Sequence, residues 1–80
     1  QVLQAFGRID GMISCACVIR MGPITGMSLA DFQLVMRVNV EGTFLGLKHV
    51  MPVMLDAGRG SIVNISSTAG IAGAAGAGAY

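Results

Sequence analysis

The sequence has few charged residues, few aromatic residues and no tryptophan. Charged residues make up 11% of its 80 residues and aromatic residues 5%, and five basic against four acidic residues give a formal net charge of +1. The basic residues are scattered and form no stripe that would attract a phosphate backbone. This composition argues against nucleic acid as a partner, and the absence of charge runs argues against a solvated tail.

Cysteine is also scarce, since Cys15 and Cys17 are the only two. On an extended strand their Cα atoms would lie about 6.5–7 Å apart, at the limit of disulfide geometry. A structural zinc site takes about four ligands, and these two thiols with the single histidine, His49, supply too few. We therefore expect free thiols, no metal site and a cytoplasmic protein.

Polar surface is scarce for so short a chain. The hydrophobic content reaches 54% and the mean hydropathy +0.73, whereas a small domain has a large surface to cover. The first residues, QVLQAFGRID, lack a starting Met and a secretory signal pattern, and they read as the last turns of a helix that ends at Gly7. We expect residues 1–80 to be a fragment of a single larger domain, cut at both ends.

The apolar segments predict one β-α-β unit. Residues 11–19 (GMISCACVI) and 60–66 (GSIVNIS) are short apolar runs that predict strands buried on both faces. A loop over 20–27 and a helix over 28–57 separate them, so the strands should be parallel and the crossover right-handed. The predicted fold class is α/β, seen as one βαβ crossover of a larger parallel sheet.

The long helix has recognisable start and stop signals. Ser28 and Asp31 resemble a capping box at its beginning, and Gly58 follows its predicted end. Three residues inside it are expected to bend or break the helix: Gly42, Gly46 and Pro52.

Two hydroxyl groups are placed to meet at the edge of the predicted sheet. Ligands of open α/β sheets bind beyond the carboxyl ends of the strands, where Ser67 follows the second strand. Tyr80 lies 13 residues further on, far enough for the chain to loop out and return, with helix restarting just before Tyr80. Both hydroxyls could then bond to one substrate oxygen, as in proton transfer to a ketone or from an alcohol.

These residues resemble the middle section of the short-chain dehydrogenase/reductase family. The resemblance runs over essentially all 80 residues. It rests on three stretches: FGRIDGMI, VNVEGTFLGLKHVMPVM and GSIVNISSTAG…AY, the last with its Ser-x₁₂-Tyr spacing. It implies an oxidoreductase that passes a hydride between NAD or NADP and an alcohol or ketone. It also implies that the βαβ crossover is part of a Rossmann-like, doubly wound parallel sheet. A parent homodimer or homotetramer that packs through helix 28–57 is implied as well.

The resemblance assigns roles to seven residues. Tyr80 would be the general acid/base, Ser67 would hold the substrate oxygen, and Asn39, at a helix kink, would order a water in the proton relay. The residues expected to bind the cofactor are Cys15, Ala16, Cys17 and Ile65.

The sequence departs from the family pattern in three ways. The Gly-rich phosphate turn that precedes this section in the family is absent, as is the Lys that follows the family's Tyr by four residues. Ser14-Cys15-Ala16-Cys17 stands where the family has Asn-Asn-Ala-Gly. Cys17 thus adds a side chain where the cofactor would lie, unless the loop moves.

Two alternatives remain open from the sequence. The uncharged residues 60–80 carry glycines every three residues, at Gly70, Gly73 and Gly76, as in closely packed membrane helices; their polar residues make them a poor span, so no membrane is the expectation. The other is a non-catalytic fragment that only associates with other chains. Even if the parent protein is an oxidoreductase, the isolated 80 residues are expected to be inactive.

Overall fold

The computed structural model describes all residues from Gln1 to Tyr80. Three α-helices and two strands follow one another as α1 (Val2–Phe6), β1 (Gly11–Ser14), α2 (Leu29–Met36), α3 (Gly42–Ala57) and β2 (Ser61–Asn64). A π-helical turn, Arg37–Glu41, joins α2 to α3, and short 3₁₀ turns occupy Ile24–Gly26 and Thr68–Gly70.

The two strands form a parallel sheet, as predicted. Gly11 pairs with Ser61 at one end of the ladder and Ser14 pairs with Asn64 at the other. The Ile65 N–H donates to the Ser14 carbonyl at 2.9 Å just beyond the paired residues. This parallel pair with its helical crossover confirms the partial Rossmann-like α/β fold.

Both strands are shorter than predicted and neither is buried on both faces. Four residues pair in each strand instead of the nine of 11–19 and the seven of 60–66. Helix α3 packs against β1, with the Met12 sulfur 3.5 Å from the point where a Cβ on Gly46 would stand. On the other side, Ile13 is 68% exposed and Val63 48% exposed, because no element of the chain covers that face.

The long helix begins and ends where the sequence indicates. The Ser28 hydroxyl accepts a hydrogen bond from the Asp31 N–H at 3.1 Å, which satisfies one of the unpaired donors of the first turn. Gly58 stops α3 in a left-handed conformation with φ 70°. The same stop operates at Gly7, with φ 72°, after α1.

The prediction that glycine and proline interrupt the helix is wrong about where the irregularity lies. Gly42, Gly46 and Pro52 all lie within regular α3, and Gly42 has helical angles of φ −59° and ψ −45°. The irregularity is the π turn Arg37–Glu41, closed by the Gly42 N–H donating to the Arg37 carbonyl. A π turn of this kind adds a residue to one helical turn and is frequent at functional sites.

The prediction of a helix just before Tyr80 is also wrong. After the 3₁₀ turn Thr68–Gly70 the chain forms only turns and one isolated parallel bridge, between Gly22 and Ala77. Alanine favours helix, but Gly76 takes φ +76° and so diverts the chain. None of the helices combines the length and the apolar character that a membrane crossing requires.

The chain is extended and exposes most of its apolar side chains. Its radius of gyration is 16.0 Å, against about 12 Å for a compact domain of this length. Its accessible surface is 5961 Å², against about 4,500 Å² for a compact protein of 8.2 kDa. Only Val35, Met54 and Ala79 are buried.

Candidate active site

A cavity of about 220 Å³ lies beyond the carboxyl ends of the two strands. The residues that follow β1 and β2 form two of its walls, and the π turn between α2 and α3 forms a third. Its lining includes all seven residues singled out from the sequence: Cys15, Ala16, Cys17, Asn39, Ile65, Ser67 and Tyr80. The fold therefore brings the whole predicted set together at one place.

Ser67 lies at the point where the chain leaves the second strand and turns. It is half-buried, in extended conformation with φ −138° and ψ 156°, and its hydroxyl oxygen accepts a hydrogen bond from the Ala69 N–H at 3.2 Å. A hydroxyl has one donor and two acceptor sites, so this bond leaves the proton of Ser67 free to be donated. The backbone bond fixes the oxygen, and the proton can reach a ligand in the cavity.

Tyr80 reaches the same cavity from the far end of the Gly/Ala-rich segment. Its backbone N–H donates to the Ala77 carbonyl at 3.2 Å, and the residue remains 39% exposed. Ser67 and Tyr80 therefore line one cavity, as their spacing predicted. The approach differs from the prediction, because turns rather than a helix carry the chain back.

Asn39 lies in the π turn and its side chain holds the loop that follows β1. Its Oδ1 accepts from the Val18 N–H at 2.8 Å, and its Nδ2 donates to the Val18 carbonyl at 2.9 Å. One amide thus pairs both backbone groups of a single residue 21 positions away. Each amide atom retains one further site, a lone pair on Oδ1 and a proton on Nδ2.

The two cysteines of the cavity lining lie on unstrained backbone. Cys15 and Cys17 are exposed free thiols, and no residue other than glycine has a positive φ. Position 17 therefore carries a side chain without backbone strain. The effect of that side chain is that its thiol takes up space in the cavity.

Five lining residues were not singled out from the sequence: Ser14, Val40, Thr43, Ser66 and Gly70. The Thr43 hydroxyl donates to the Asn39 carbonyl at 3.1 Å. Its position four residues after Asn39 is a signal that the sequence contains, because residues four apart share one helix face. Nothing in the sequence identifies Val18 as the partner of Asn39, since that contact is set by tertiary structure.

The cavity fits one end of a dinucleotide better than the whole molecule. Its volume of about 220 Å³ is below the about 300–1,000 Å³ of pockets that enclose a complete drug-sized ligand. Ser67 and Tyr80 are lining residues with hydroxyl groups, and residues 15–17 add backbone and thiols to the same lining. A ring-sized group with a reacting oxygen beside the hydroxyls is compatible with this set.

Comparison with known proteins identifies the family. The family model described as short chain dehydrogenase matches residues 1–80. The chain is 41% identical over 71 residues to a 3-alpha-(or 20-beta)-hydroxysteroid dehydrogenase of Mycobacterium tuberculosis, covering 89% of this chain and 27% of the relative. It is 43% identical over 75 residues to a 2,5-dichloro-2,5-cyclohexadiene-1,4-diol dehydrogenase of Sphingobium indicum, covering 91% of this chain and 30% of the relative. The chain belongs to the short-chain dehydrogenase family.

Solved structures agree with this assignment. The crystal structure of levodione reductase superimposes with a TM-score of 0.91 at 34% identity, over 98% of this chain and 31% of that one. A structure of ElxO with NADP bound superimposes with a TM-score of 0.93 at 29% identity, over 99% of this chain and 32% of that one. The chain thus spans less than a third of the length of the relatives it matches.

Proposed function

We propose that residues 1–80 form the catalytic segment of an NAD- or NADP-dependent oxidoreductase that interconverts an alcohol and a ketone. One observation carries the proposal: the Ser67 and Tyr80 residues line a single cavity beyond the carboxyl ends of two parallel strands. Membership of a family whose relatives are dehydrogenases and reductases supports it. The longer protein that would contain this segment is called the parent enzyme below.

In this proposal two hydroxyl groups act on the substrate oxygen. Ser67, with its oxygen fixed by the Ala69 N–H, donates its proton in a hydrogen bond that strengthens as negative charge develops on that oxygen. Tyr80 gives its proton to the oxygen during ketone reduction and takes it back during alcohol oxidation. When bound, the nicotinamide supplies or accepts the hydride at the substrate carbon.

The remaining predicted residues hold the cofactor and the loop beside it. Cys15, Ala16, Cys17 and Ile65 would contact the nicotinamide end, since they line the same cavity at the carboxyl ends of the two strands. Asn39 fixes the loop through Val18, and its two free amide sites could bind the relay water. The solved structure of ElxO contains NADP, which supports a nicotinamide dinucleotide as the cofactor.

We further propose that the 80 residues are one segment of a single NAD(P)-binding domain in a cytoplasmic protein. The segment is supported by the exposed surface, which exceeds that of a compact protein of this mass by about 1,500 Å². The cytoplasmic location is supported by the two free thiols, Cys15 and Cys17. The outer surface of the long helix also carries large exposed side chains, such as Leu29, Phe44 and Leu55. These are suited to packing between subunits in a homodimer or homotetramer.

The proposal is tested by substitutions in the parent enzyme. Tyr80→Phe keeps the ring but removes the proton, and kcat is expected to fall about 10²–10⁴-fold, the range of general acid–base catalysis. Ser67→Ala is expected to lower kcat as well, with a small change in cofactor affinity. Ser61→Ala is the control, because Ser61 lies at the start of β2, outside the cavity. Near-normal turnover by Tyr80→Phe would contradict the proposal.

A non-catalytic association module is the other candidate, favoured by the thiol at Cys17 in the cavity. The two are separated by titrating the parent enzyme with NADH or NADPH and following nicotinamide fluorescence. Saturable binding is expected for the oxidoreductase. Absence of binding to both cofactors, in a folded protein, would favour the module.

A further inference from the structure

The loop after β1 meets the Gly/Ala-rich segment that leads to Tyr80, and each contact between them involves a glycine. The Gly22 N–H, in the loop after β1, donates to the Gly76 carbonyl at 2.9 Å. Gly22 also forms a parallel bridge with Ala77. We call Gly22, Ile24, Gly76 and Gly78 the glycine clamp.

The clamp uses backbone conformations that other residues rarely adopt. Gly22 has φ +145° and Gly76 has φ +76°, both in the region where an added Cβ brings strain. A Cβ on Gly76 would stand 3.6 Å from the Gly22 nitrogen, which is ordinary van der Waals contact. The positive φ angles therefore explain glycine at these two positions.

The third glycine of the clamp allows a close side-chain contact. A Cβ on Gly78 would stand 3.0 Å from Cδ1 of Ile24, tighter than ordinary contact. The next residue, Ala79, is one of only three buried residues in the chain. The clamp continues to the candidate catalytic residue because the Tyr80 N–H donates to the carbonyl of the bridged Ala77.

We propose that the glycine clamp positions the Tyr80 phenol relative to the Ser67 hydroxyl. The inference rests on the proposed function and adds to it four positioning residues that do not line the cavity. Between Ser67 and the clamp, the 3₁₀ turn Thr68–Gly70 is the sole helical element. Without the bond to Gly22, this Gly/Ala-rich segment would have many conformations, few of which bring Tyr80 to the substrate oxygen.

The test compares alanine substitutions within the same segments of the parent enzyme. Gly76→Ala strains the backbone of the clamp, and kcat is expected to fall about 100-fold, the loss that follows a displacement of about 1 Å at a reacting group. Gly78→Ala crowds the Cδ1 methyl of Ile24, and its kcat is expected to fall by a smaller factor. Gly73→Ala and Gly26→Ala are matched controls, since a Cβ at either position meets nothing within 4 Å and neither residue has a positive φ. Their kcat is expected to stay within about twofold of the parent.

Two further readouts separate positioning from a general loss of structure. The cofactor dissociation constant of Gly78→Ala is expected to stay close to that of the parent, because the residues proposed to bind the nicotinamide lie elsewhere. Adding Ile24→Ala to Gly78→Ala removes the crowding methyl and is expected to restore most of kcat. A control as impaired as Gly76→Ala, or no recovery in the double variant, would overturn the clamp.

Hydrogen exchange tests the clamp without using activity. The Gly22 amide is expected to exchange slowly in the parent enzyme. Gly76→Ala is expected to accelerate that exchange. Fast exchange of that amide in the unsubstituted protein would overturn the clamp even if the enzyme is active. Slow exchange in a protein without dehydrogenase activity would leave the clamp as a structural feature, while both the proposed function and the positioning of Tyr80 for catalysis would fail.

Discussion

At the scale of single residues, Asn39 has a structural task that its sequence context did not reveal. The resemblance predicted a water-ordering role, and the structure adds a pair of hydrogen bonds to the backbone of Val18. The two roles are compatible, since the amide has four hydrogen-bonding sites and Val18 uses two of them. The π turn that carries Asn39 directs its side chain towards the loop after β1.

Substituting Asn39 should destabilise the parent enzyme by an amount that depends on which bond is lost. Asn39→Asp retains an acceptor for the Val18 N–H but places a second oxygen against the Val18 carbonyl. The free energy of unfolding is expected to fall by about 1–3 kcal/mol, because a half-buried carbonyl loses its donor. Chemical denaturation provides the measurement, with Gln33→Glu on the exposed surface of α2 as the control. Equal stability of the two variants would contradict the pairing.

The two thiols offer a chemical test of where the cofactor binds. Cys15 and Cys17 are free, exposed and part of the cavity lining, so maleimide should alkylate both in the parent enzyme. Saturating NADH or NADPH is expected to slow alkylation of Cys17 by at least about tenfold. The reason is that a ligand bound in a pocket covers most of the pocket lining, so the reagent cannot reach the thiol. Mass spectrometry of peptides measures each site. Unchanged alkylation rates at saturating cofactor would contradict the proposed binding wall.

At the scale of elements, local signals predicted more than long-range ones. Ser28 and Gly58 marked the helix ends correctly, because a cap and a left-handed stop act within one turn. The end of β1 was missed, because Val18 bonds to Asn39 rather than to a neighbouring strand. The prediction of a helix before Tyr80 was wrong for a similar reason. The alanine content favours a helix there, whereas the bridge from Gly22 to Ala77 prevents it.

More of the candidate site than of the detailed fold could be predicted from the sequence. Ser67 and residues 15–17 line one cavity because parallel strands bring their carboxyl ends to the same edge, a relation that the apolar runs already contain. Tyr80 follows no strand and reaches that cavity only at the end of the segment after Ser67. The segment between them was not predictable from composition. Its path is set by glycine conformations and by a partner loop far away in the sequence.

The start of α2 gives a prediction for this element. Ser28→Ala removes the acceptor for the Asp31 N–H and is expected to lower the free energy of unfolding of the parent enzyme by about 1 kcal/mol. Ser28→Asp retains an acceptor and should lose far less. Denaturant titration of the three proteins makes the comparison. A loss in Ser28→Asp as large as that in Ser28→Ala would argue against capping as the cause.

At the scale of the whole molecule, burial is too limited to stabilise the chain alone. Three residues are buried among 80, whereas ordering each residue costs about 1–2 kcal/mol of backbone conformational entropy. The isolated chain is therefore expected to lack a cooperative thermal unfolding transition when its helical signal is followed by far-ultraviolet circular dichroism. A sharp transition in the purified 80-residue chain would contradict this prediction.

The side chain of Asn39 connects the π turn of the long helix to the loop that follows the lining residues 15–17. Because one amide pairs both backbone groups of Val18, a displacement of either part strains the same two hydrogen bonds. In the proposed homodimer or homotetramer, contacts on the outer surface of α2 or α3 would therefore be coupled through Asn39 to residues 15–17.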